Sequence, residues 1–394
     1  MSPVREMKAL GPEDPKDHFA NLAIEGSDAL DEIRNELIRT HGDGKNRTEK
    51  TWGIQEAAVM VGRSVPWLRE NDPDAPKNEV GHGRWTLGRI NEIRDKIGTR
   101  VTRPAGAETL IIAFSKLKGG VGNTTSCAHL AHFLAKMGFR VLVIDFDPQG
   151  SMTQLVGGVN PDASIDMEDL PNEALLNDPK SLQYTIRKTY FHNVHLIPAN
   201  QMLQDLELGL NQQFMNENDD EFGVPFHKRL KEGLEPIKDN YDMVLIDCPP
   251  SQGSLTMNAL GAANALINPI RPMLLDRASY VMYTRSLSSF YEFNPDIQIK
   301  YHRLLISQFK NVKDPIMQGK AIRKLYGDLV LSNTIMDSQE IKNASGRLET
   351  VYSLDRPVGG RDSYKRALHS LDSVFNEMVD EIFYLWNMEA GNDE

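Results

Sequence analysis

The chain has 394 residues, of which 40% are hydrophobic and 25% charged, and its net charge is −11. That length predicts two or three domains with cores of their own, needing no disulfide or metal staples. Two cysteines, Cys127 and Cys248, exclude a disulfide framework and a four-cysteine metal site, and the acidic balance argues against a protein that coats nucleic acid over its whole surface.

No run reaches the ~18 apolar residues of a membrane span. Met1 to Leu10 lack the apolar segment of a secretory leader, which predicts a cytoplasmic chain. Residues 1–16 carry Pro3, Pro12 and Pro15 and read as a loose lead-in. From His18 to Thr40 the spacing of Phe19, Leu22, Ala23, Leu30, Ile33 and Leu37 predicts an amphipathic helix, closed by the polar stretch His41 to Gly44. One helix with one apolar face must dock on its own chain or on a second copy. Residues 1–44 are therefore expected to form an N-terminal helix able to act as a dimerisation arm.

Residues 45–103 hold twelve Lys or Arg against eight Asp or Glu, a local positive excess in an acidic chain. A short helix over 52–61 ends on Gly62, and Ser64 caps a second helix with Pro66 in its first turn. Two short helices across a Gly-x-Ser turn predict a helix-turn-helix. A glycine-rich, basic hairpin follows at 81–86, then a helix over 87–97 and a linker over 100–106. Trp67 and Arg69 would face a major groove, beside Arg63 and Ser64 of the turn, while Arg84 of the hairpin would touch phosphate or the minor groove.

Residues 104–394 change pattern. Apolar runs at 110–114, 141–146, 194–197, 243–246, 265–267, 304–306 and 329–331 suit buried parallel strands, with helical stretches such as 125–137 between them. The fold class expected is α/β, a doubly wound and mostly parallel P-loop sheet behind a small winged-helix or helix-turn-helix domain. The first run leads into Lys118-Gly119-Gly120-Val121-Gly122-Asn123-Thr124-Thr125 and a helix. Strand, glycine loop and helix N-terminus form a phosphate nest, with the Thr124 hydroxyl placed for Mg²⁺. Two further strands end in Asp145 with Asp147, and in Asp247, the last placed as a Walker B carboxylate.

Lys118-Gly119-Gly120-Val121-Gly122-x-Thr124-Thr125 resembles the deviant Walker A loop of the ParA/MinD family of P-loop ATPases. Ile144-Asp145-x-Asp147-Pro148-Gln149-Gly150 is similar to the ParA branch, and the likeness spans roughly residues 108–385. The resemblance implies ATP or ADP with Mg²⁺ as ligands and an ATP-held homodimer in which Lys118 reaches the partner's nucleotide. It also implies that Asp147 orients the attacking water, with Asp145 beside Mg²⁺ and Asp247 as the Walker B residue. The loop bearing Pro269 and Pro272 would lie near the nucleotide base. One departure stands out: the family carries a lysine directly before the threonine pair, and this chain has Asn123. Asparagine brings no charge, which predicts nucleotide binding through the backbone nest with slow turnover.

The segment 48–98 resembles the N-terminal helix-turn-helix of the larger plasmid ParA proteins, which implies binding to an operator and autorepression. Lys342, Arg347, Arg361, Lys365 and Arg366 lie in the half that binds DNA non-specifically in that family. The implied role is a cytoplasmic, nucleoid-associated partition ATPase acting with a ParB-type centromere-binding protein and with no membrane. The alternative is a hydrolysis-deficient, nucleotide-gated DNA-binding regulator. An iron-protein-like reductase would need two cysteines free to bridge a cluster. A MinD-like membrane anchor is opposed by the acidic residues of the apolar helix at 368–386.

Overall fold

The computed structural model describes residues 15–40, 47, 49–116, 118–215 and 224–391. Most of the expected lead-in, 1–14, and the stretch His41 to Gly44 lie outside the described residues. Helix α1 spans Pro15–Thr40. Phe19, Leu22, Ile24, Leu30 and Ile33 are each more than half exposed, so these positions of the helix do not dock on the described part of the chain. One tie to the body is the hydrogen bond from Asn160 Nδ2 to Asp31 Oδ1, 2.8 Å.

The N-terminal unit begins with strand β1 (Thr51–Gly53), followed by α2 (Ile54–Val61) and α3 (Val65–Asn71). Gly62 ends α2 at φ 74°, where a side chain would be strained. Ser64 caps α3, its hydroxyl accepting from the Trp67 N–H at 3.3 Å. Strand β2 (Arg84–Thr86) pairs antiparallel with β1, and α4 (Leu87–Ile97) closes the unit.

The larger part is built on a seven-stranded sheet. Its strands are β3 (Leu110–Phe114), β4 (Val141–Asp145), β5 (Arg187–Lys188), β6 (Val194–Ile197), β7 (Met243–Asp247), β8 (Ala265–Ile270) and β9 (Tyr301–Ile306), in the spatial order β5-β6-β4-β7-β3-β8-β9. All neighbours are parallel except β5 and β6. Alternate residues feed two cores: Leu110, Ile112 and Phe114 face one side, Ile111 and Ala113 the other. Both faces being covered, the strands read as unbroken apolar runs. The run at 329–331 is not a strand. A 3₁₀ turn occupies Gly327–Leu329, and only Val330 bridges to Leu304.

The N-terminal unit shares the first of these cores with α5 (Asn123–Met137). Helix α6 (Leu274–Phe293) packs into the second core through Tyr280, Tyr283 and Leu287, and the long helix α7 (Arg361–Glu389) returns to the first. Trp52 meets Phe191 edge-on at 6.3 Å. Gly88 lies so close to the His192 ring that an added Cβ would meet it at 3.3 Å. Arg94, almost fully buried, donates to the carbonyls of Met60 and Lys136 and to Asn91 Oδ1. The expected linker at 100–106 is also held against the larger part, Arg100 Nε donating to the Gly138 carbonyl at 2.9 Å.

Candidate nucleotide site and nucleic-acid face

Strands β4, β7 and β3 lie side by side, and their registers place Asp145 beside Asp247 and Asp247 beside Phe114. Their carboxyl ends therefore meet at the glycine loop. Gly120 and Gly122 take φ values of 74° and 83°, the left-handed region that turns successive amides to one side. No side chain caps α5, so its first N–H groups stay open toward the loop. Residues after β9 brace the loop: Ser307 Oγ donates to the Val121 carbonyl at 2.6 Å and Gln308 Nε2 to the Gly120 carbonyl at 3.0 Å.

Asn123 sits at the start of α5 with its side-chain amide turned inward. Nδ2 donates to the Phe114 carbonyl and to Asp247 Oδ1, both at 2.8 Å. It stitches β3 to β7, while its Oδ1 is buried without a hydrogen-bond partner among the described residues. Burial pushes the Asp247 carboxyl up, opposed by the nearby Thr124 hydroxyl and by the charge of Lys116. Asp247 Oδ2 is buried without a hydrogen-bond partner among the described residues, and Thr124 and Thr125 are only half-buried. An orphaned carboxylate oxygen, a neighbouring hydroxyl and an open amide nest fit Mg²⁺ and a phosphate chain.

Asp145, expected beside Mg²⁺, is committed elsewhere. Its Oδ1 accepts from the Asp147 N–H, and its Oδ2 from the N–H and hydroxyl of Thr153. It is fully buried and shapes the turn, with burial and neighbouring Asp247 both lifting its pKa. Asp147 is half-buried at the mouth of the site.

Lys118 is engaged within its own chain, its Nζ donating to Asp276 Oδ1 at 2.6 Å. Arg271 binds the other oxygen of the same carboxylate at 2.6 Å. Burial would lift the Asp276 pKa, but hydrogen bonds from Arg271 and Lys118 hold it below its ordinary value. Pro269, expected in a loop, belongs to β8, past the last β3 partner Ile267, where its missing N–H loses no bond to β3. It lines a cavity with Lys116 and Lys118, while Pro272 lines another with Lys342. Sequence reasoning missed Asp276, Ser307 and Gln308, which come from distant segments with no local signature, and gave Arg271, within the loop expected at 269–272, no role of its own. It also passed over Lys116, visible two residues before Lys118.

The residues expected to contact DNA divide into groups. Arg69 and Arg84 share a groove of about 1200 Å³ with Lys77, Arg361 and Lys365, so the N-terminal unit and the start of α7 present one face. Arg63 is exposed and stacks over the half-buried Trp67 ring at 5.8 Å, next to Ser64. Arg84 does not hang free: Nε donates to Thr51 Oγ1 and Nη2 to the Thr51 carbonyl, each at 3.0 Å. Arg366 is exposed on α7 and Arg347 is half-buried. Lys342 stands apart, paired with Asp337 at 2.5 Å. Cys127 and Cys248 are both buried, and no described helix is long and apolar enough to cross a membrane.

Parallel sheet, glycine loop and converging aspartates define a P-loop nucleoside-triphosphatase. A family model described as an AAA domain matches residues 109–299. A putative replication protein A of Rhizobium rhizogenes is 30% identical over 86% of this chain and 88% of its own length. SopA of Escherichia coli strain K12 is 30% identical over 84% and 88%. The chromosome-partitioning ATPase Soj of Treponema pallidum is 30% identical over 65% and 94%. The chain belongs to the ParA family of partition ATPases. A solved structure titled "Partition Protein" matches the fold over 94% of this chain with a TM-score of 0.65 at 18% identity. Cobyrinic acid a,c-diamide synthase of Mycobacterium smegmatis, titled with bound ADP and magnesium, matches 61% of this chain and 90% of its own, with a TM-score of 0.50 at 28% identity.

Proposed function

We propose that this ATPase binds ATP or ADP with Mg²⁺ at the loop 118–125, with Thr124 and Asp247 holding the metal, and that ATP joins two copies. Mg²⁺ supplies neutralisation of phosphate charge. The backbone nest and the α5 N-terminus bind the phosphate chain, and Asp147 at the mouth orients water. The observation that carries this reading is Asp247 Oδ2, buried and unpartnered beside Thr124. Nucleotide-binding titrations with and without Mg²⁺ test it: binding indifferent to Mg²⁺ and to Thr124→Val would refute the assignment.

The unit at 45–103 binds operator DNA, and its groove face together with α7 binds DNA without sequence preference. Arg69, Arg361 and Lys365, exposed and without an ion pair among the described residues, support that assignment. The unpartnered apolar face of α1 supports a dimer arm, and a ParB-type protein stimulates turnover. A truncated chain lacking residues 1–103 that still protects one discrete DNA site would remove the operator role. Asn123 favours a second reading, a regulator that holds ATP without turning it over. Phosphate release no faster than that of Asp147→Ala would favour it.

A further inference from the structure

Lys118, the signature lysine, is spoken for by Asp276. Lys116, at the other side of the loop entrance, is not. It follows β3 by two residues, is half-buried and lines the same cavity as Lys118, Val121 and Asp276. Among the described residues no carboxylate lies within 4.0 Å of its ammonium. The charges it feels most are those of Asp247 and Asp147. A half-buried cation without a close partner is unfavourable in the free chain and becomes favourable when an anion arrives.

Asp247 ties Lys116 to Asn123. From the far end of the loop it accepts a neutral amide, Asn123 Nδ2 at 2.8 Å. From the near end the Lys116 charge opposes the rise that burial gives its pKa. The two residues act on one carboxylate, Asn123 by a hydrogen bond and Lys116 by its charge, seven positions apart in the chain, and the positive charge stands on the first. We propose that Lys116 is the phosphate-binding cation of this site, supplying from the strand end the charge that Asn123 does not bring. The proposal rests on the nucleotide reading above, and it makes Asn123 a structural stitch rather than a lost function.

The test measures binding of Mg²⁺ complexes of fluorescent ATP and ADP, and of AMP, to the full chain and to Lys116→Gln, Lys116→Arg and the double variant Lys116→Gln/Asn123→Lys. Melting without nucleotide confirms that each is folded. Lys116→Gln should lose about tenfold or more in ATP and ADP affinity, as expected for one charge-assisted contact. AMP affinity should stay within about threefold, since a distal-phosphate contact is absent there. Lys116→Arg should keep most of the affinity, and adding Asn123→Lys should restore much of what Lys116→Gln loses. Equal loss for all three nucleotides would mean a merely structural lysine and overturn the proposal. So would unchanged ATP affinity in Lys116→Gln. Absence of nucleotide binding by the unaltered chain would overturn the nucleotide reading along with it.

Discussion

At the phosphate loop, Asn123, Asp145 and Asp247 are almost sealed from water, and their geometry is set by bonds to strand ends and turns. On the groove face, Arg69, Arg361 and Lys365 are exposed and form no ion pair among the described residues. The first region holds its charges in place before any ligand comes, so small displacements are expensive and the ligand is narrowly defined. The second keeps its cations hydrated and adjustable, which suits a uniform phosphate backbone and fixes the partner less tightly.

The largest effect that would sharpen this contrast is at Asp147. Asp147→Ala should lower phosphate release by ~10²–10⁴-fold, the range for a lost positioning or proton-accepting group, while nucleotide affinity changes little. A loss under tenfold would show that the preorganised region does not depend on this carboxylate.

Next is Lys118, held in cis by Asp276. Lys118→Ala should spare ADP affinity and abolish ATP-dependent binding to random DNA, measured by anisotropy. Full DNA binding by the variant would break the link between the two regions.

Stability offers a third handle. Arg94→Ala leaves the carbonyls of Met60 and Lys136 without their buried donor and should lower unfolding free energy by ~3 kcal/mol, read in urea. A shift below ~1 kcal/mol would mean that the seam tolerates loosening.

Acid should act through the same seam. Burial holds the His129 imidazole down to about 4 and His132 well below its ordinary value, so both are neutral in the folded chain. The unfolded chain takes up these protons near pH 6.5. Stability from them is therefore complete above about 6.5 and lost as pH falls toward 4, on the order of 3 kcal/mol from His129 alone. His132 stacks on Phe191 at 4.1 Å and bonds Thr350, so His132→Phe should flatten the slope between pH 7.5 and 5. An unchanged slope would exclude it as an acid-sensitive group.

The smallest effects belong to the groove. Arg69→Ala should cost ~1–3 kcal/mol at particular base pairs if it reads a base edge, while Lys365→Ala should reduce the salt slope of random DNA binding by about 1. Uniform loss across sequences for Arg69→Ala would reassign it to phosphate.

The strands were legible because both faces of the sheet are buried, so β4, β6 and β7 stand out as apolar runs. The two-residue β5 has no such signature, and the apolar triplet at 329–331 resembled a strand while only Val330 bridges. The loop residues 118–125 were legible because a phosphate nest is contiguous in sequence. Asp276 and Gln308 were not, since they arrive from 158 and 188 positions away from the groups they hold. Asp145 bonds the Asp147 amide and Thr153, and in sequence a strand-end carboxylate looks the same whether it faces a metal or caps the next turn.

The seam at Trp52, Gly88 and Arg94 has a consequence for how such chains diversify. A different N-terminal unit cannot be spliced in as an interchangeable cartridge, because its core is completed by Lys136, Phe191 and His192 of the larger part. Recombination near residue 103 would leave mismatched halves. Change in this unit is reached more readily by point substitutions at exposed positions such as Arg63 and Arg69.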